Sequence, residues 1–490
     1  MSRTRRTAGR PAYGRGKATD PRRADRRGRS MRDAPPPARR TALRTLLRAA
    51  PRKIEEHSPS APGFWRSPLR GPWFTAVLGT VLLFGTTLLF VTGLLSYAAY
   101  NPDLAAVNDK TPDKGLLGFY LFAWPTDPHW LYRLTQGLHV TVGITLIPVL
   151  LAKLWSVLPK LFALPPARSL GHALERLSLL LLVGGALFVF VTGVLNVQLE
   201  YVFPGSFYPL HFYGAWVFFG AFVAHAALKL PQTVRVLRAG GLRERLGTHE
   251  GREPEEDSGR GGDSGRGPDA ADGLVAPRPA GPTVSRRGAL GLVGGGSLLL
   301  FATTAGQSFD GWPRATALFA PHGGDEPGRG PGAFQINKTA RSVGVGADRT
   351  GESWRLVVVG PGRTLRLTRA DLLDLAQHSA DLPIACVEGW STSDQAWSGV
   401  RLRDLAALAG YDGNAADAPG VLVESLQLRG SFRRAALRDN QVRDARSLLA
   451  LRVNGADLTP DHGYPARVIV PAAPGVLNTK WVSRLTFGEL

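Results

Sequence analysis

The chain has 490 residues, room for two or three domains, and a formal net charge of +20. Its one cysteine, Cys386, excludes an intramolecular disulfide and any zinc site built on two or more thiolates. The charge is concentrated at one end: residues 1–68 hold nineteen Lys or Arg against five Asp or Glu, which makes +14 in this stretch alone.

Residues 1–70 form a basic tail with too few apolar side chains to offset its ordering entropy, and it is expected to be disordered. Such a tail reads either as a nucleic-acid arm or as a cytoplasmic segment held beside a membrane by anionic lipid. The apolar segments that follow favour the second, and no nucleic-acid partner is expected. Met31 is an alternative start that would shorten the tail by half.

Residues 71–231 contain four apolar runs, Phe74–Tyr97, Leu138–Leu158, Leu177–Val197 and Leu210–Leu230. Each has about twenty residues, enough for a helix to cross the roughly 30 Å hydrocarbon layer. A fifth, weaker and Gly-rich run is Ala289–Ala305. Positive charge in the tail, in Lys160–Arg176 and in Arg235–Arg252 marks these segments as cytoplasmic, whereas Asn101–Trp130 and Gln198–Phe207 carry almost none. Five spans from an inside start place the chain after about Gln307 outside. The expectation is a multi-pass protein of a bacterial cytoplasmic membrane, with the lipid bilayer as its first partner.

The first two spans recur as the next two. Phe90-Val91-Thr92-Gly93 reappears as Phe190-Val191-Thr192-Gly193, while Leu138-His139 and Leu158-Pro159 reappear as Leu210-His211 and Leu230-Pro231 at an offset of 72. The repeat makes His139 and His211 equivalent residues near the outer ends of parallel spans. Two histidines so related can approach a haem iron from opposite faces, as a b-type haem in a four-helix bundle requires. The bland alternative is a pair of interfacial histidines bonded to neighbouring helices. His225 lies fourteen residues after His211, about 21 Å deeper on a helix, but its repeat mate is Lys153, so a second haem lacks its partner.

Residues 232–285 form a cytoplasmic linker, flexible over 247–284, and residues 286–307 hold the fifth span. Ser285-Arg286-Arg287-Gly288-Ala289-Leu290 resembles a twin-arginine export signal, which would make the twin-arginine exporter a partner. Its position suits a domain that folds around a cofactor before crossing.

From about Ala333 short β-branched runs alternate with turns and brief helices: Trp354–Val359, Leu365–Leu367, a helix over Arg369–Gln377, then Ile384–Cys386. The fold class expected for residues 308–490 is mixed α+β. Asn454-Gly455 reads as a hairpin turn.

The run Ile384-Ala385-Cys386-Val387-Glu388-Gly389-Trp390-Ser391, with Trp397-Ser398-Gly399-Val400 and a helix Leu402–Leu408, resembles the molybdopterin core of the sulfite oxidase family. The likeness runs from Phe334-Gln335-Ile336-Asn337-Lys338 to Lys480-Trp481, through Val453-Asn454-Gly455 and Asp461-His462-Gly463-Tyr464-Pro465-Ala466-Arg467. It implies a molybdenum–molybdopterin cofactor, with Cys386 as both catalytic residue and molybdenum ligand. It also implies that Asn337, Lys338, His462, Arg467 and Lys480 hold the pterin and its phosphate. Trp390 and Trp397 either line a substrate pocket or belong to the core.

No immunoglobulin-like dimerisation domain is seen after the core, which favours the branch of exported methionine-sulfoxide reductases. The whole chain therefore reads as a b-type cytochrome-like four-helix membrane bundle with a fifth span, fused to a sulfite oxidase-type domain. The expected function is reduction of S-oxides, protein methionine sulfoxide among them, with electrons from a quinone, another membrane donor or an inner-face reductase. The alternatives are a sulfite-type dehydrogenase feeding electrons into the membrane, and a non-catalytic anchored scaffold for cofactor.

Overall fold

The structure, a computed structural model, describes residues 58–61, 64–108, 121–162, 169–197, 207–238, 276, 279–309, 311–318, 320, 330–411 and 419–490. The expectations for the basic tail up to residue 57 and for most of the linker lie outside the described residues.

Among the described residues six long helices come first: α1 Pro72–Ala99, α2 Leu131–Thr145, α3 Ile147–Leu161, α4 Leu170–Asn196, α5 Tyr208–Arg238 and α6 Arg286–Ala305. Four helices are long and apolar enough to cross a membrane, and α2 with α3 makes a fifth span if the bent pair counts as one. The second expected span is thus present as two helices meeting at 41°. The cause is Pro148, which has no amide proton to donate back along the helix and whose ring crowds the carbonyl one turn earlier. Helix α4 packs against α5, α1 against α2 and α3, and α6 against α2 and α3. Phe84, Leu228 and Leu292 point outward and are more than two-thirds exposed, at 70%, 69% and 78%.

The C-terminal domain has ten strands: β1 Leu356–Gly360, β2 Arg363–Leu367, β3 His378–Leu382, β4 Gln395–Arg401, β5 Gly420–Ser425, β6 Arg434–Leu437, β7 Leu448–Val453, β8 Ala456–Asp457, β9 Arg467–Ile469 and β10 Val482–Gly488. They make two sheets, β2-β1-β10-β5-β6 and β3-β4-β7-β8, with β9 paired to β7 in the second. Only β1 with β10 runs parallel; every other pair is antiparallel. The mixed α+β class expected from the sequence is therefore found. Leu356, Leu405, Val423, Leu449 and Leu485 form the centre of the main core.

Two short helices are α7 Arg369–Asp374 and α8 Leu402–Leu408, the latter as expected. Helix α7 stops three residues short of the expected Gln377, because the Gln377 amide donates to the carbonyls of Leu372 (2.8 Å) and Leu375 (2.9 Å) and so caps the end. Ile384–Cys386 is not a strand; Ala385 makes only isolated bridges to Ser391 and Pro474. The Asn454-Gly455 turn joins β7 to β8 with both residues left-handed, at φ 51° and 82°, as a two-residue hairpin demands.

One end of the bundle grips this domain. Asn101 at the end of α1 donates to the carbonyl of Ala436 (3.1 Å) and to Gln441 Oε1 (2.9 Å). Trp124 Nε1 donates to the carbonyl of Ala472 at 2.7 Å, and Asn440 donates to the carbonyl of Trp124 at 2.8 Å. Arg438 pairs with Asp103 and Arg446 with Asp127. The segment between α1 and α2, expected to be an outer loop, thus contacts the domain expected to be exported.

Candidate active site

Cys386 sits in a tight loop between β3 and β4. Its amide donates to the carbonyl of Trp390 (2.9 Å), and the Gly389 amide donates back to the carbonyl of Cys386 (3.1 Å). The loop presents a buried thiol whose proton goes to Glu388 Oε2 at 2.5 Å; Trp390 Nε1 donates to the same oxygen at 2.8 Å. Burial pushes the Cys386 thiol up, with the neighbouring carboxylate second, and burial also raises Glu388. Asn337 Nδ2 approaches the sulfur at 3.7 Å.

A cleft opens beside the sulfur. Its wall includes Asn337, Lys338, Cys386, His462, Arg467 and Lys480, so all six residues expected at the cofactor come to one place. The cleft is narrow, about 80 Å³, and the chemistry of its wall identifies it better than its size. Arg467 Nε, Asn478 Nδ2 and Thr479 Oγ1 are buried there without a hydrogen-bond partner. Buried donors are normally satisfied, so these three ask for acceptors that a ligand would bring.

The electrostatics agree. Burial pulls Arg467 down to about 9, and burial followed by the charge of Arg467 pulls Lys480 well below its ordinary range. Cations held in that state gain from a phosphate. The residues present therefore fit a molybdopterin: Cys386 for the metal, Arg467 and Lys480 with Asn478 and Thr479 for the phosphate and the pterin edge.

His462 stands differently. Its Nδ1 is bonded to Thr459 Oγ1 (2.7 Å) and its Nε2 to the carbonyl of Phe334 (3.1 Å), so both ring nitrogens are committed within the protein. Burial brings its pKa down to about 4, which keeps the ring neutral. It can offer a ligand its ring face only. Of the two tryptophans, Trp390 lines the cleft while Trp397 is fully buried in the second sheet's core, its Nε1 on the carbonyl of Leu382 (2.9 Å).

On the other side of Cys386 lies a cavity of about 810 Å³ that runs into the helical bundle, within the usual size of a ligand site. Its walls include His139, His211, Cys386, Val387 and Glu388. The two imidazole centroids are 6.1 Å apart with their planes at 88°. The Thr92 hydroxyl donates to the carbonyl of Leu88 (2.8 Å), so the 3.0 Å contact to His139 requires Nδ1–H as donor. His211 Nδ1 meets the carbonyl of Val189 at 3.0 Å, which likewise requires a proton on Nδ1, with Thr192 Oγ1 at 3.2 Å. Both tautomers leave the Nε2 lone pair for a metal. Gly93 and Gly193 complete the symmetry: an added Cβ would meet His139 Cε1 at 3.2 Å and His211 Cε1 at 3.1 Å. The repeated Phe-Val-Thr-Gly is therefore a histidine seat used twice.

Six residues line both spaces: Asn337, Lys338, Cys386, Ser431, Phe432 and Val476. Sequence reasoning missed Phe432, whose left-handed backbone (φ 60°) gives no signal in composition. It also missed how the cysteine loop docks on the bundle. Ser96 Oγ donates to Gln136 Oε1 (2.8 Å), and Gln136 Nε2 donates to the carbonyl of Val387, next to the cysteine. At Gly389 (φ 92°) an added Cβ would lie 2.6 Å from Val140 Cβ and 2.8 Å from Gln307 Nε2. Gly389→Ala should therefore destabilise the fold by roughly 1–3 kcal/mol and lower turnover. Thermal unfolding read beside initial rates checks this; an unchanged melting temperature would mean that the loop is not docked as described.

Residues 344–489 match the family described as the oxidoreductase molybdopterin binding domain. Mitochondrial sulfite oxidase of Rattus norvegicus is 32% identical over 159 residues, 28% of this chain and 29% of that protein. The uncharacterized oxidoreductase YuiH of Bacillus subtilis is 31% identical over 135 residues, 27% of this chain and 65% of that protein. Nitrate reductase [NAD(P)H] of Hordeum vulgare is 40% identical over 102 residues, 19% of this chain and 11% of that protein. The chain thus spans 29% of the length of the rat sulfite oxidase it matches. The C-terminal domain is a molybdopterin-binding oxidoreductase domain of the sulfite oxidase type, and the helical bundle lies outside the matched family region.

Proposed function

We propose that the chain is a membrane-anchored molybdopterin oxidoreductase that reduces S-oxides outside the cytoplasmic membrane, with electrons delivered through a b-type haem in the bundle. The observation that carries this reading is the placement of Cys386 on the wall of both the basic cleft and the histidine cavity.

His139 and His211, with ring centroids 6.1 Å apart and their Nε2 atoms left open, would hold the haem iron, and the cavity around them is apolar through Leu89, Phe90, Val189 and Phe219. A quinol or another membrane donor supplies the electrons. The N-terminus is inside and the C-terminal domain outside, exported through the twin-arginine system. Ser285 caps the start of α6 by accepting from the Gly288 amide at 3.0 Å, so Arg286 and Arg287 begin the helix, as a basic inner flank of the fifth span would.

The bound cofactor supplies oxygen-atom exchange at molybdenum. The chain supplies the thiolate of Cys386, cationic seats for the phosphate at Arg467 and Lys480, and apolar side chains of Phe432 and Val476 at the boundary between the two spaces. A sulfoxide consumes two electrons and two protons and leaves as sulfide and water. Methionine sulfoxide in exported proteins is the expected substrate class.

Sulfite oxidation is the competing reading, favoured by the sulfite oxidases among the relatives. Rapid mixing of the dithionite-reduced, desalted protein with methionine sulfoxide should reoxidise the haem within the turnover time. Haem reduction by sulfite, with no response of the reduced protein to sulfoxides, would reverse the assignment.

A further inference from the structure

The large cavity is apolar around the histidines and polar where it meets the C-terminal domain. Its polar lining there includes Asn337, Lys338, Thr339, Ser342, Arg429 and Ser431, beside apolar Val343, Phe432 and Val476. Of the charged residues on the whole lining, Lys338 and Arg429 are basic and Glu388 alone is acidic. The Glu388 carboxylate receives the Cys386 thiol and the Trp390 indole on its Oε2 and lies within electrostatic reach of Lys338, so it offsets one positive charge and leaves the lining net positive. Arg429 makes no ion pair or hydrogen bond among the described residues. Gly430 has φ 89°, and an added Cβ would lie 3.3 Å from Lys338 Nζ. That glycine gives the ammonium room beside the 429–431 segment, where it donates to the carbonyl of Ser431 at 3.4 Å. A cavity with an apolar body, a histidine pair and a net positive mouth that carries two basic side chains calls for a flat apolar ligand bearing carboxylates on one edge.

We infer that Lys338 and Arg429 hold the propionate carboxylates of the haem, so that the bundle's haem site is completed by the molybdopterin domain. The inference rests on the haem reading above and adds which domain supplies the anion seat. Lys338 lines the molybdopterin cleft as well, so one ammonium faces both anionic cofactors. Positive charge next to the haem edge favours the reduced haem, which carries one more negative charge than the oxidised form.

The test is a potentiometric titration of the haem absorbance in the full-length, detergent-solubilised protein. Arg429 is exposed, so its replacement leaves packing intact. Arg429→Glu should shift the reduction equilibrium about tenfold toward the oxidised form, 59 mV for a one-electron couple. Arg429→Lys should restore most of this, and molybdenum content should be unchanged in both. Wild-type protein should bind haem more tightly than haem dimethyl ester, whose propionates are uncharged, and Arg429→Glu should remove most of that preference. A shift of less than twofold in Arg429→Glu overturns the clamp, as does an undiminished preference for haem over the ester in that variant. Wild-type protein without b-type haem absorbance overturns the haem reading itself and the clamp with it, and is told apart by that spectrum alone.

Discussion

Cys386→Ser should lose turnover by several orders of magnitude and most of its molybdenum, while the fold survives. Serine is close in volume to cysteine, and the loop that positions residue 386 is held by backbone hydrogen bonds, to the Trp390 carbonyl and from the Gly389 amide, that do not involve the side chain. What changes is the donor atom. A thiolate is soft and forms near neutral pH once a metal competes for its proton, whereas a serine hydroxyl ionises far less readily and offers a harder oxygen. Cys386 is the one sulfhydryl in the chain, so no neighbour can substitute. Metal analysis and pterin fluorescence on the purified variant, beside its melting curve, decide the matter. Pterin retained with molybdenum and activity lost is the expected pattern, since Arg467 and Lys480 still face the phosphate. Full turnover by the serine variant would remove Cys386 from the metal.

Much of this site was legible in the sequence, for reasons that differ between its halves. The molybdopterin half was readable because its residues lie in short blocks whose order survives, and the structure gathers Asn337, Lys338, Cys386, His462, Arg467 and Lys480 around one cleft. The bundle half was readable through repetition: Thr92 with His139 and Thr192 with His211 are the same contact made twice. Contacts between the halves were not readable. Gln136 to Val387 and Gly389 to Val140 join residues about 250 positions apart, and nothing local in either segment announces the other. The bend at Leu146 was visible only as a proline inside an apolar run, which lowers helix continuity without fixing an angle. Ile384–Cys386 read as a strand because its residues are apolar. Pro383 before it and the turn closed by Cys386 and Trp390 after it leave no room for a ladder.

His139→Ala and His211→Ala should each erase the reduced b-type haem spectrum, whereas His225→Ala should leave most of it. Each of the first two removes one of the paired nitrogens, and the cavity offers no third histidine to replace it. His225 lies four turns farther along α5, and its repeat mate is Lys153, whose ammonium donates to the carbonyl of Thr75 at 2.6 Å and so is engaged by α1. The seats should matter in proportion to what they fix. Thr92→Val removes one acceptor of His139 and leaves the carbonyl of Leu89 as the other, so haem should be retained at synthesis but lost more readily to an apo-globin acceptor, by no more than the roughly 10–100-fold that such outer partners contribute in metal affinity. Thr192→Val should act alike, because the carbonyl of Val189 still accepts from His211 at 3.0 Å. Gly193→Ala tests the packing side of the same seat: its Cβ would press on His211 Cε1 at 3.1 Å, tilt the ring and broaden the low-spin spectrum without emptying the site. Retained haem with faster loss in both threonine variants is the discriminating measurement, since simple destabilisation of the bundle would lower the haem content itself. If His225→Ala proved as damaging as His211→Ala, the iron would sit deeper in the bundle than the His139–His211 pair allows.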